Sequence, residues 1–232
     1  MTANECIRGR RSIRKFTNQP VSHELIAQVV ETASYAPSWK HTQITRYIAV
    51  EGEKKNALAK CTSIFPGNGV IMENAPMVVA VTIIKGRSGY ERDGSFSTPK
   101  GDRWQMYDAG VASEAFCLAA YEQGLGTVIM GLFDEDEASK LLELPEDREL
   151  VALIPVGYPA EDPVAPAKVL KEYAEKVESF QILAGYLDGA VVDAATVNTL
   201  ADIPSKEVLI AKFLGSIRSP LYGLAYALQA IV

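Results

Sequence analysis

Apolar residues recur at helical spacing along residues 22–34: Leu25, Ile26, Val29, Val30 and Ala33 form one stripe. Ser22 is placed to cap the first turn, Glu24 puts negative charge at its start, and Pro37 follows its end. The pattern predicts a helix over Ser22–Ser34. Met77–Ile84 reads MVVAVTII, apolar without alternation, which predicts a strand covered on both faces. Tyr47–Val50, Thr127–Leu132 and Glu149–Val156 read as further strands, Glu53–Lys60 as an exposed helix and Glu135–Leu142 as another helix. Trp104–Gln123 is a long helical stretch rich in Ala, Gly and Ser, which suits close packing at the centre of a fold; Gly124 and Gly126 end it. Between the strand at Ile84 and that helix, the polar residues Lys85–Gly101 cannot build a core and read as an active-site or surface loop. Helices and strands mix without a strict βαβ repeat, so the class is α+β.

After residue 155 the texture changes. Pro155, Pro159, Pro163 and Pro166 mark a linker. Beyond it the pattern predicts a helix near Lys168–Val177, a hairpin within Gln181–Val192 turning at Asp188-Gly189, and a helix over Lys206–Gly215. The segment Leu221–Val232 carries no charge and puts Leu221, Leu224, Leu228 and Ile231 on one helical face, suited to docking a partner helix or to packing on its own domain. Two domains follow, residues 1–160 and 161–232. The longest apolar stretches, Ala75–Ile84 and Leu221–Val232, fall short of the ~20 residues needed to span a bilayer.

Charge narrows the function classes. With 23 Lys+Arg against 29 Asp+Glu the chain is at −6, a poor footprint for a dedicated DNA or RNA binder or for an anionic membrane surface. The N-terminal MTANECIRGRRSIRKF has no apolar core, so no signal peptide is expected. Three widely spaced cysteines without a CxxC pair point to a reducing, cytoplasmic setting and away from disulfide or zinc frameworks. Only His23 and His41 are present, which argues against His-rich metal sites and His-based triads. GxSxG, HExxH and Walker motifs are absent. If the chain is an enzyme, a cofactor carries its chemistry.

Two constellations fit a cofactor. Arg8, Arg10, Arg11, Arg14 and Lys15, with Ser12 among them, either form a phosphate-sized cluster of forked donors or a solvated basic face. Ala36–Gln43, reading APSWKHTQ, combines a rigid Pro, a hydroxyl, an aromatic plane, an imidazole and an amide, a mixture suited to the edge of a flat heteroaromatic ring. His41 in that stretch could equally be a loop residue satisfied by a backbone carbonyl. Gly124–Gly131 follows a helix and opens a strand, the reverse of the dinucleotide-binding order, so a Rossmann reading is rejected.

Taken in order, RRSIRKF (Arg10–Phe16), APSWKHTQ (Ala36–Gln43), ENAP (Glu73–Pro76), GRSGYERDGSF (Gly86–Phe96) and GLGTVIMGLFDE (Gly124–Glu135) resemble the nitroreductase family of FMN-dependent NAD(P)H oxidoreductases over about residues 5–160. The resemblance implies a nitroreductase-like α+β fold and a homodimer with FMN at its interface. It implies hydride transfer from NAD(P)H through flavin N5 to a nitroaromatic, quinone or similar acceptor. It puts Arg10, Arg11, Ser12 and Arg14 at the phosphate and ribityl chain, Pro37, Ser38, His41 and Gln43 beside the ring, and Gly131 and Leu132 at its reactive edge. Asn68 is implied as a further flavin contact. The family's usual basic C-terminal tail is replaced here, and Lys168 is the one nearby cation in its stead.

Residues 161–232, above all ADIPSKEVLIAKFLGSI, resemble the C-terminal part of the bacterial ribosomal stalk-base protein, the L ten family. That resemblance implies a small α/β segment whose terminal helix, Leu221–Val232, docks acidic ribosomal stalk dimers. The chain thus reads as a fusion. Its alternatives to flavin chemistry are an interaction module acting through this tail, or an inert fusion with a weakened flavin site.

Overall fold

The computed structural model describes residues 1–62, 65–160, 165–177, 180–187, 190–203 and 209. The chain divides into two compact units, Met1–Ala160 and Glu161–Val232. The first is built on a four-stranded sheet of β1 (Thr45–Val50), β2 (Met77–Ile84), β3 (Gly126–Thr127) and β4 (Arg148–Gly157), in the order β1-β2-β4-β3 with every neighbouring pair antiparallel. Every residue of β2 is buried. Met77, Val79 and Val81 pack with α2 (His23–Ala33) and α5 (Arg103–Glu122) on one face. Val78 and Ala80 pack on the other with α3 (Gly52–Lys60), α4 (Pro66–Asn74) and α6 (Glu135–Leu141). Two-sided covering explains the unbroken apolar run, although the sheet is antiparallel.

The helices obey the local signals. Ser22 Oγ accepts the Leu25 N–H at 3.2 Å and caps α2, and Asp134 caps α6 through the Glu137 N–H. Gly124 adopts φ +77° just past α5, a conformation open to glycine at no Cβ penalty. Three helices, α1 (Ala3–Gly9), α4 and α8 (Ala194–Asp202), lie where the sequence patterns predicted none. The helix α3 is not fully exposed as its composition suggests: Lys55, Leu58 and Ala59 are buried, and Lys55 Nζ donates to the carbonyls of Glu73 and Ala75.

The strand expected over Thr127–Leu132 is interrupted. β3 ends at Thr127, and pairing with β4 resumes only at Met130↔Leu153. The register is constant, so Val128 faces Pro155. Proline has no N–H to donate, and the ladder opens where that bond would fall. The same Pro155 lies inside β4, paired with Val78, and not in a linker.

In the second unit, α7 (Ala165–Lys176) is followed by the antiparallel pair β5 (Ala184–Leu187) and β6 (Ala190–Asp193), then α8, capped by Asp193. Lys171 pairs with Asp202 and thereby ties α7 to α8. The predicted hairpin is present, with its turn at 188–189 outside the described residues, as are the predicted helix Lys206–Gly215, apart from residue 209, and the segment Leu221–Val232. No helix among the described residues is long and apolar enough to cross a membrane, and no group of three or more His, Cys, Asp or Glu side chains there could hold a metal ion.

Candidate functional site

The basic N-terminal segment is pinned by its backbone. Ser12 bridges Thr127 in parallel, and the Ile13 N–H donates to the Thr127 carbonyl at 2.9 Å, so residues 12–13 lie along the free side of β3. The contact is close: a Cβ on Gly126 would stand 2.8 Å from Ile13. Arg11, Ser12 and Arg14 remain exposed. Arg11 Nη1 donates to the Arg8 and Arg10 carbonyls and Arg14 Nη1 to the Ser12 carbonyl, and neither guanidinium meets a carboxylate among the described residues. Arg10 differs. Its buried Nε faces Glu114 Oε1 of α5 at 3.4 Å without hydrogen-bond geometry. Three cations and a hydroxyl thus crowd one short stretch, two of the cations without a carboxylate partner among the described residues, the donor chemistry of a phosphate site.

The Ala36–Gln43 stretch is held differently. Lys40, His41 and Gln43 have φ of 45°, 56° and 48°. This left-handed conformation costs about 1 kcal/mol or more for each residue with a Cβ and persists only where surroundings enforce it. Ser38 Oγ accepts the Gln43 N–H at 2.9 Å, and Gln43 Nε2 donates to the Ala36 carbonyl at 3.3 Å. His41 Nδ1 lies 3.4 Å from Gln43 Nε2. The Trp39 N–H donates to both oxygens of Asp108 on α5, and its indole packs 4.5 Å from the Trp104 ring. Trp39 Nε1 and Thr42 Oγ1 are buried with no hydrogen-bond partner among the described residues.

A cavity of about 300 Å³ opens here, lined by Pro37, Ser38, Gln43, Arg46, Tyr47 and Asp108 among others. The Tyr47 hydroxyl donates to the Ala112 carbonyl, and burial pushes its titration far above the ordinary tyrosine range. The segment 85–101 is a folded flap. Tyr90 bridges Phe96, Gln105 Oε1 accepts the Gly86 N–H, and the Ser88 hydroxyl donates to Asp108 at 2.6 Å. Lys40 Nζ reaches across to Glu91 at 2.6 Å, and the hydrogen bonds from Lys40 and Ser97 hold that carboxyl below its ordinary range.

The sequence-chosen residues therefore fall into two groups. Arg10, Arg11, Ser12 and Arg14 lie against β3 and the C-terminal half of α5, while Pro37, Ser38, His41 and Gln43 lie by its N-terminal half. None of Arg10, Arg11 and Arg14 lines the 300 Å³ cavity. Asp108 and Tyr121, which neighbour the two groups, are thirteen residues apart on α5, about 20 Å at ~1.5 Å per residue. Gly131 and Leu132 are exposed just after the Met130 bridge, and a Cβ on Gly131 would meet nothing within 4 Å. Asn68 sits half-buried in the first turn of α4 and does not line that cavity. Lys168 belongs to α7, and its side chain lies outside the described residues. Sequence reasoning missed Asp108, Gln105 and Ser88. The available signal was Gln105 and Asp108 falling among the small apolar residues of the buried face of α5.

The three cysteines are free thiols, and burial pushes each upward, which disfavours the thiolate.

Comparison with known proteins converges on this unit. The family model described as nitroreductase family matches residues 7–66 and 63–158. A protein of Methanothermobacter thermautotrophicus named as an NADH dehydrogenase/NAD(P)H nitroreductase is 31% identical over 167 residues, covering 70% of this chain and 80% of that protein. The crystal structure of a nitroreductase family protein from Clostridium novyi superposes with a TM-score of 0.60 at 27% identity, over 70% of this chain and 88% of the other. A nitroreductase from Desulfovibrio desulfuricans in complex with FMN gives 0.55 at 27% identity, over 68% of this chain and 86% of the other. Residues 203–232 match the ribosomal protein uL10 C-terminal region. The large ribosomal subunit protein uL10 of Pelotomaculum thermopropionicum is 52% identical over 68 residues, 29% of this chain and 39% of that protein. The chain thus spans about two fifths of the length of that ribosomal relative.

Proposed function

Since residues 7–158 make this chain a member of the nitroreductase family, joined to a segment similar to uL10, we propose that it is an FMN-dependent oxidoreductase that uses NAD(P)H. The observation that carries this is the exposed pair Arg11 and Arg14, without a carboxylate partner among the described residues and pinned along β3. The chemistry that FMN supplies when bound is hydride transfer, from NAD(P)H through N5 to a nitroaromatic, quinone or similar acceptor.

The chain's own residues bind and orient. Arg10, Arg11, Ser12 and Arg14 hold the phosphate and ribityl chain. Pro37, Ser38, His41 and Gln43 meet the ring, and Gly131 and Leu132 offer backbone donors at its reactive edge. Asn68 adds a polar contact. Trp39 Nε1 and Thr42 Oγ1, buried and without a hydrogen-bond partner among the described residues, support a polar ligand at the loop, since such atoms cost free energy when left alone. No side chain has to donate or accept a proton for the hydride step; donors aimed at the ring stabilise negative charge on it. That Arg10, Arg11 and Arg14 do not line the cavity beside Pro37, Ser38 and Gln43 supports a homodimer in which each site takes one group from each copy. The free thiols suit a reducing cytoplasm.

The test is the absorption spectrum of the purified chain with and without added FMN, together with its mass by light scattering. A flavin band carried by a dimer that oxidises NAD(P)H is the expected result. A colourless protein that ignores added FMN overturns the proposal.

The similarity over 203–232 favours a second role for the tail, docking of ribosomal stalk dimers through Leu221–Val232. Leu224→Asp with Leu228→Asp should abolish capture of purified stalk dimers; undiminished capture refutes that role.

A further inference from the structure

Among the described residues Asp108 is the only buried carboxylate, 3% exposed. Its two oxygens stand 3.1 and 3.0 Å from the Trp39 nitrogen, and one also accepts the fully buried Ser88 hydroxyl at 2.6 Å. One side chain thus joins α5, the loop ahead of Gln43 and the flap over 85–101. A buried carboxylate is a poor choice for stability alone, because an apolar residue of similar size avoids the desolvation cost. Its three short contacts all go to chain segments at the candidate site and none goes to the sheet.

We propose that Asp108 is a positioning residue for the ring-binding loop, fixing the left-handed turn over Lys40–Gln43 and coupling its shape to the flap through Ser88. The inference rests on the flavin reading of the site. The hydrogen bonds from Gln43 N–H to Ser38 and from Gln43 Nε2 to Ala36 lie within the loop and move with it, and Arg46 Nη1 of β1 donates to the Gln43 carbonyl at 2.6 Å at the loop's far end. The bond to Asp108 ties the loop to a 20-residue helix packed on the sheet. Lys40–Glu91 is a second tie to the flap, but both partners are half-exposed and water competes for them.

The experiment pairs amide hydrogen exchange of the full apo chain with FMN titration, for the parent protein and for Asp108→Ala, Asp108→Asn and Ser88→Ala. Asp108→Ala should speed exchange at least tenfold over residues 39–43 and 86–90, leave β2 protected, and weaken FMN binding tenfold or more. Ser88→Ala should shift both in the same direction by less. Asparagine can still accept the Trp39 N–H while its amide donates to Ser88, so Asp108→Asn should stay within about threefold of the parent. That rescue separates positioning from a general loss of packing, and it keeps the test valid if Asp108→Ala misfolds. Unchanged loop exchange in Asp108→Ala, loosened exchange with undiminished FMN affinity, or equal losses in the Asn and Ala variants would each overturn the proposal alone. A parent chain that takes up no FMN overturns the flavin reading and this proposal with it.

Discussion

The two halves of the candidate site are made by opposite means. Residues 10–14 gather charge on an exposed segment held to β3 chiefly by a single backbone ladder contact. Residues 36–43 gather shape: three left-handed residues, a buried carboxylate, an indole pair and a flap. A charged ligand group is captured by density of donors, which tolerates side-chain freedom. A flat ring needs a surface fixed beforehand, because ordering it at the moment of binding subtracts from affinity. The first half can therefore lie on the rim of the fold, while the second must be fastened to its longest helix.

The largest effect should come from removing charge. Arg10→Ala with Arg14→Ala deletes two charge-assisted contacts of roughly 1.5–3 kcal/mol each. FMN affinity should fall about a hundredfold or more, with the parent protein losing affinity steeply as salt rises and the variant less so. Fluorescence titration of flavin reads both. Unchanged flavin retention on gel filtration would remove the basic segment from the site.

A smaller effect should follow from moving the same segment without altering charge. A methyl group at Gly126 would press on Ile13 at 2.8 Å. Gly126→Ala should lift residues 12–13 from Thr127 and destabilise the first unit by about 1–3 kcal/mol, a typical overpacking cost. FMN binding should weaken several-fold. If thermal melting shifts while FMN affinity stays at the parent value, charge alone suffices and the backbone pinning is dispensable.

The same contrast decides what could be read from the sequence. Charge is a local property, so the basic cluster stands out in the chain without any fold. Periodicity likewise exposed α2, an unbroken apolar run exposed β2, and richness in Ala, Gly and Ser exposed α5. The break in β3 depends on Val128 facing Pro155, a partner 27 positions away that only the register supplies. Asp108 meets Trp39 across 69 positions and Ser88 across 20. Its role is invisible until α5 is docked. The helices α1 and α4 were missed for a related reason. α1 buries no residue and α4 buries only Met72, so neither leaves a clear stripe.

The weakest fastening of the shaped half gives the smallest effect and the sharpest sign. Lys40 and Ser97 hold Glu91 below its ordinary value of 4.5, Lys40 being the larger cause. A carboxyl depressed in the folded state contributes stability above its unfolded pKa and loses it as pH falls through the folded one. The tie between loop and flap should thus be intact at neutral pH and loosen only below pH ~4.5, the ordinary carboxyl value, once Glu91 takes a proton. NMR of the Glu91 side chain should show its midpoint below the ordinary value, rising toward it in Lys40→Met. Because both groups are half-exposed, that variant should change FMN affinity by less than about threefold. A Lys40→Met loss as large as that of Asp108→Ala would reverse the order of the two ties, making the surface ion pair, and not the buried carboxylate, what holds the turn.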